Sequence, residues 1–398
     1  MMPHHDQLAL LDPPAHRRGG APLPVLEERA SRGASFHEVP VKAILNSPAT
    51  TGMGFWSLNP YVGCEFGCTY CYARETHKWV TEKAVGRLGG STAGSSGESS
   101  AGTEAAPDAR AAEPPSRQAA EPPSRQAAEP PSRRAAALPP WEAFEKQILV
   151  KTSAAHVLTR TLFPARLAGA SLVIGTATDP YQPAERRFRL TRQILEALLG
   201  WRGLSLGLIT KSPLILRDVD LLTQLAERHE LSINISLAST DAALLRRLEA
   251  RSPAPHARLR ALKGLTDAGL HAGLLIAPIL PGISDSRAQL AALFQAGKDA
   301  GARYAVGAAL RLGPAARTRF LPHLAEEFPE LTRRYAHRYG TRTGAGKDYT
   351  EALARRIKSL QEEFGYPTAV GMSGRARLQG YQRRGQAIPE SAEQWTLL

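Results

Sequence analysis

The stretch GCEFGCTYCYAR, residues 63–74, holds Cys64, Cys68 and Cys71, the only three cysteines among 398 residues. Intervals of three and two residues let three thiolates converge from one loop, and soft thiolate donors select iron–sulfur clusters, zinc or copper(I). An odd number within one loop builds no disulfide framework, so the pattern suits a reducing compartment, with the cytosol as the default. A closed zinc site asks for four protein ligands. The nearest fourth candidate is His77, and the second Cys or His pair expected of zinc has no counterpart elsewhere. Three cysteines on a [4Fe–4S] cube leave one iron open to a non-protein ligand, which is what a catalytic cluster requires.

Such a loop needs a scaffold, and beyond residue 140 the chain alternates short apolar runs with amphipathic segments. Strands are expected at 147–151, 171–177, 204–210, 231–238, 272–280 and 304–310. Helices are expected at 154–162, 184–199, 214–229, 240–250, 257–269 and 285–300. Val, Ile and Leu runs buried on both faces, each followed by a helix, indicate a parallel sheet wrapped by helices. Their number fits a full or partial (β/α) barrel better than a short open sheet, while periodicity leaves a doubly wound sheet open. In either architecture the chemistry belongs at the carboxyl ends of the strands. There the sequence places Thr176, Thr178 and Asp179; Thr210, Lys211 and Ser212; Ser236 and Ser239; Ser284 and Asp285. Any one of them serves as readily as a helix cap, and it is their recurrence on one rim that points to a site.

Composition divides the rest. Residues 1–35 read as a flexible arm, 36–84 as the segment carrying the cysteine loop, and 85–140 as a disordered insertion containing AAEPPSRQ at 111–118 and 119–126 and AAEPPSRR at 127–134. The insertion lacks apolar side chains to offset the entropy of ordering, and an eight-residue repeat without a hydrophobic face cannot stack as a solenoid. Residues 141–312 carry the main alternation, and 313–398 read as a helical extension with a basic tail. Segment 318–365 is expected to form two amphipathic helices. In the tail, Arg375, Arg377, Arg383 and Arg384 surround Tyr381, a mixture suited either to phosphates and bases or to a plain solvated surface. A net charge of +13 raises the prospect of a polyanionic partner. No long apolar run or signal-peptide core occurs, so neither a membrane span nor secretion is expected. No G-x-S-x-G follows a strand and no G-x4-G-K-[ST] is present, which argues against hydrolase and P-loop chemistry.

Cys64-x3-Cys68-x2-Cys71, with Tyr70 before the last cysteine, resembles the signature of the radical S-adenosylmethionine (radical SAM) superfamily. The segments 44–74, IGTATDPYQPAERRFRLTR (174–192), LITKSPLILRDVDLL (208–222), INISLAS (233–239) and 256–286 resemble its spore photoproduct lyase-like branch. The resemblance covers most of 40–84 and 145–310. It implies an α/β fold with a partial (β/α)6, TIM-like barrel, a [4Fe–4S] cluster on Cys64, Cys68 and Cys71, and SAM as cosubstrate, cleaved reductively to a 5′-deoxyadenosyl radical. By position it assigns Tyr70 beside the adenine, Thr178 and Asp179 near the SAM amino group, Lys211 to the SAM carboxylate and Ser236 to the ribose. An ammonium suits a carboxylate on physical grounds as well; a solvated lysine beside a helix start is the competing reading. The implied partners are an external electron donor of flavodoxin or ferredoxin type and a substrate that is nucleic acid or, alternatively, protein or metabolite. A zinc-containing nucleic-acid-binding module without catalysis is the alternative from another class. One departure stands out: the branch's hydrogen-donating fourth cysteine is replaced here by Thr176, so photoproduct cleavage with recycled SAM would need Tyr181 or another tyrosine as donor.

Overall fold

Short strands rich in Leu, Ile, Val and Ala, each followed by a helix, build a parallel sheet with both faces covered, and the chain carries five of them in succession after residue 170. The computed structural model describes residues 25–27, 33–75, 139–167 and 169–368. The AAEPPSRQ repeats, His77, the basic tail and most of the N-terminal arm lie outside the described residues.

Eleven strands are described: β1 (Val25–Glu27), β2 (Ser35–Glu38), β3 (Leu45–Asn46), β4 (Trp56–Leu58), β5 (Tyr61–Val62), β6 (Gln147–Val150), β7 (Leu172–Ile174), β8 (Ser205–Thr210), β9 (Glu230–Ser236), β10 (Ala272–Ile279) and β11 (Ala305–Ala309). They form a mixed α/β structure around a seven-stranded sheet of order β11-β10-β9-β8-β7-β4-β3. Its six neighbours from β4 to β11 run parallel, with Trp56 opposite Leu172 and Leu172 opposite Leu206, and only β3 is antiparallel. All seven residues of β9 are buried, as a central strand covered on both faces requires. The strand order follows the chain order without a switch point, and among the described residues no pairing joins β11 to β3, so the sheet is open.

One expected strand belongs elsewhere. The run 147–151 forms β6, which pairs parallel with β2 and antiparallel with β5 in a separate four-stranded sheet, order β1-β2-β6-β5. The first strand of the parallel series is instead β4, three residues between Gly54 and Pro60. Several helices are also more divided than the periodicity predicts. The expected helix 184–199 is broken at Arg189, whose φ of 52° ends Glu185–Phe188 and precedes Leu190–Leu198. Residues 214–229 begin as a 3-10 turn, Pro213–Asp218, before Val219–Arg228. The C-terminal extension holds three helices, Pro314–Glu327, Thr332–Tyr339 and Lys347–Phe364, in place of two.

The main core fills the sheet's helix-covered face with Leu, Ile and Ala of β7–β10 and of the helices Leu190–Leu198, Val219–Arg228 and Pro255–Asp267. A second cluster joins Cys64, Phe66, Cys68 and Tyr70 to Leu280, Leu310, Phe320, Leu324 and Tyr335, so the C-terminal helices close over the cysteine loop. No described helix is long and apolar enough to cross a membrane.

Candidate functional site

The cysteine loop follows β5 and is pinned from outside by its backbone. Cys64 N–H donates to Phe144 O at 2.9 Å and Thr69 N–H to Leu248 O at 3.1 Å. Glu65 N–H donates to Gln182 Oε1 at 2.9 Å, and the Glu65 carboxylate accepts Ala184 N–H at 2.7 Å. Thr178 Oγ1 donates to Gly63 O at 2.6 Å, Arg251 Nε to Glu65 O at 2.7 Å, and Arg74 Nη2 to Cys68 O at 3.1 Å. Arg74 and Arg251 are in turn gathered by one buried carboxylate, Glu145, with Arg319 at 3.7 Å. Gly67 takes a left-handed φ of 61°, and a Cβ there would lie 2.2 Å from Arg251 Nη2, so glycine is what lets this ion cluster close against the loop. Backbone polar atoms are thus spent on the scaffold, while of the thiols Cys68 Sγ lies 3.5 Å from Ser252 Oγ.

Cys64 and Cys68 are buried and Cys71 half-buried. Burial, then the neighbouring Asp179, Cys68 and Cys71, push the Cys64 thiol well up; burial and Cys68 push Cys71 up to about 11. A soft cationic partner would be needed to hold Cys64 and Cys71 as thiolates in this buried setting. Among the described residues no three His, Cys, Asp or Glu side chains are drawn together as a single ion requires. Each thiolate of a [4Fe–4S] cube takes a different iron, so such a cube asks for convergence rather than a shared point. The donor set, all thiol and within one rigid loop, fits that group.

At the end of β8, the Lys211 ammonium donates to Cys68 Sγ at 3.3 Å, to Tyr70 Oη at 3.0 Å and to Glu249 Oε1 at 2.8 Å, and lies 5.0 Å from the Tyr70 ring centroid. Burial opposes its charge, but Cys68, Glu249 and Tyr70 outweigh burial and raise its pKa. Glu249 also accepts from the Tyr70 phenol and from Arg258. Burial works against this carboxylate too, yet Arg258 and Lys211 hold it well below the usual carboxylate range.

Of the expected site residues, Cys64, Cys68 and Tyr70 share one buried cluster with Cys71 packed against it, and Lys211 reaches Cys68 and Tyr70. Thr178 and Asp179 are adjacent but committed to the scaffold. Asp179 accepts Tyr181 N–H at 2.9 Å, Thr210 Oγ1 at 2.7 Å and Lys211 N–H at 2.8 Å, tying the end of β7 to that of β8. Ser236 Oγ donates to Ala277 O at 3.2 Å, and its own carbonyl accepts Arg258 Nη1 at 2.9 Å. Ser212, Ser239 and Ser284 serve local turns and caps. Thr176 is buried against Ser57 and Asn59. Tyr181 sits in the main core, and the tyrosine that reaches Thr176, through its backbone oxygen, is Tyr72. Glu249, Arg258, Glu145 and Arg251 are not singled out in the sequence, where Glu249 and Arg258 fall in the expected helices 240–250 and 257–269 and Glu145 and Arg251 lie outside the expected elements. A cavity of about 430 Å³ lined by His229, Glu230, His271 and Arg303 opens at the opposite, N-terminal ends of β9–β11 and holds none of the expected residues.

No family model matches the chain. It is 30% identical over 334 residues to the uncharacterized protein Rv2578c of Mycobacterium tuberculosis, covering 83% of this chain and 82% of that protein. The chain belongs to the family of this mycobacterial protein. The family extends no activity to it, since the relative is itself uncharacterized. Among solved structures the chain is similar to a spore photoproduct lyase variant with bound AdoMet and dinucleoside spore photoproduct, at 13% identity, 79% and 74% coverage of this chain and that one, and a TM-score of 0.48. It is also similar to Streptococcus suis SuiB bound to S-adenosylmethionine, at 17% identity, 46% and 41% coverage, and a TM-score of 0.34.

Proposed function

We propose that the chain is a radical SAM enzyme that holds a [4Fe–4S] cluster through Cys64, Cys68 and Cys71. The observation that carries this reading is the gathering of three thiols in one loop beside a lysine ammonium 3.3 Å from Cys68 Sγ. Cluster and SAM together would supply a 5′-deoxyadenosyl radical for hydrogen abstraction. The protein's part is to bind, orient and enclose. Lys211 offers its charge to the SAM carboxylate, Tyr70 walls the site, and Thr178 and Asp179 hold the loop and the β8 end in register. Ser236 borders the site through its carbonyl on Arg258. The six parallel strands in sequential order accord with a partial (β/α)6 barrel carrying the site at its carboxyl rim. A net charge of +13 accords with a polyanionic substrate such as nucleic acid, and a flavodoxin- or ferredoxin-type protein is the proposed reductant.

The test is anaerobic purification followed by iron and sulfide analysis and dithionite reduction with SAM. About three to four irons and sulfides per chain, with 5′-deoxyadenosine formed by the wild type and not by Cys→Ala variants, are expected. Stoichiometric zinc without sulfide would sink the reading. Comparing 5′-deoxyadenosine yield with and without damaged DNA then separates a nucleic-acid substrate from a protein or metabolite.

A further inference from the structure

Glu249 follows the helix Ala242–Leu248, is 1% exposed, and receives three donors on two oxygens. Oε1 takes the Lys211 ammonium and the Tyr70 phenol, and Oε2 takes Arg258. Arg258 is held in turn, because its Nε donates to Pro253 O at 2.8 Å and its Nη1 to Ser236 O at 2.9 Å. The guanidinium is thus fixed to the backbone on two sides and turns the carboxylate toward Lys211. A lysine side chain has four rotatable carbons and no preferred geometry, so its ammonium is placed only by what it binds. Two cations here share one carboxylate. The two positive charges outnumber the one carboxylate, and the more accessible of them is Lys211, whose side chain is 14% exposed against 1% for Arg258.

We propose that Glu249, oriented by Arg258 and joined by the Tyr70 phenol, is the positioning residue that sets where the Lys211 ammonium meets an anionic group bound beside the cysteine loop. The identity of that group as the SAM carboxylate rests on the radical SAM reading; the placement rests on the network alone.

The experiment uses the full chain, reconstituted anaerobically, with SAM titrated against the electron paramagnetic resonance signal of the reduced cluster. Wild type, Glu249→Gln, Lys211→Ala and the double variant are compared at matched iron and sulfide content. Each single substitution is expected to weaken SAM binding by roughly tenfold or more, the worth of one charge-assisted hydrogen bond. The double variant should bind no worse than the weaker single, because Glu249 acts through Lys211. Glu249→Asp, which keeps the charge and withdraws it by one methylene, should give an intermediate loss and serves if the Gln variant does not fold. Wild-type SAM affinity in the Glu249 variants, or additive losses in the double, overturns the positioning role and leaves the radical SAM reading standing. A wild-type cluster signal that ignores SAM overturns that reading and this inference together.

Discussion

Glu145 is one carboxylate serving three guanidinium groups, and its neutralisation by Glu145→Gln should be costly for a reason that can be worked through. Its side chain is 5% exposed and that of Arg74, 2.5 Å away, is 2% exposed. Removing one partner of a buried pair costs about 3–5 kcal/mol, because the remaining charge stays desolvated. Arg251 and Arg319 are 30% and 28% exposed and can turn to water, so each adds no more than about 1 kcal/mol. Glutamine keeps one acceptor and the shape, which puts the expected loss near the lower bound, about 3 kcal/mol. The control is Asp267→Asn, whose ion pair with Lys263 is 60% exposed on both sides and should move stability by no more than about 0.5 kcal/mol. Equilibrium urea unfolding of the two variants at equal cluster content measures the difference. The same substitution loosens Arg74 from Cys68 O and Arg251 from Glu65 O, so retained iron should fall as well. A Glu145→Gln midpoint no lower than that of Asp267→Asn would refute the assignment of this carboxylate as the loop's anchor.

Three further outcomes follow from the geometry. Gly67→Ala forces a left-handed φ on alanine, about 1–2 kcal/mol, and drives Cβ to 2.2 Å from Arg251 Nη2, so iron per chain should drop while the far-ultraviolet spectrum is kept. Asp179→Asn turns an amide toward donors that need an acceptor, and a loss of about 1–3 kcal/mol in thermal or urea unfolding is expected, together with weaker SAM binding as Lys211 N–H loses its anchor. Burial lowers the Lys151 pKa from the ordinary 10.5 to about 8, so the unfolded chain binds more protons between those values and stability rises with pH across that window. Lys151→Met should remove that rise and be the more stable form near neutral pH, by at most about 3 kcal/mol less the hydrogen bond to Asn59 O, as urea midpoints from pH 7 to 10 would show.

What could be read in advance and what could not have a common physical basis. Strands β7 and β10 were legible because a strand covered on both faces is apolar along its length, as LVI and AGLLIAPI are, whereas β9, ELSINIS, alternates Leu and Ile with Glu, Ser and Asn and still buries all seven residues. The three residues of β4 carry no such pattern, since their place in the sheet is decided by pairing with β7 more than a hundred residues later. The run forming β6 has the right composition and the wrong sheet, because composition states that a strand is buried and not which neighbour buries it. The site divides in the same way. Three clustered thiols announce themselves by type and spacing, and Lys211 is picked out by the resemblance of its segment and its place at a strand end. Glu249, Arg258, Glu145 and Arg251 look like ordinary charged positions until partners arrive from elsewhere in the chain: Lys211 stands 38 positions from Glu249, and Glu145 stands 71 from Arg74 and 106 from Arg251. A buried charge is tolerated only when paired. Hence the residues least visible in the sequence are those whose removal should be felt most at the cysteine loop, and the Glu145 and Glu249 substitutions test that consequence from two independent sides.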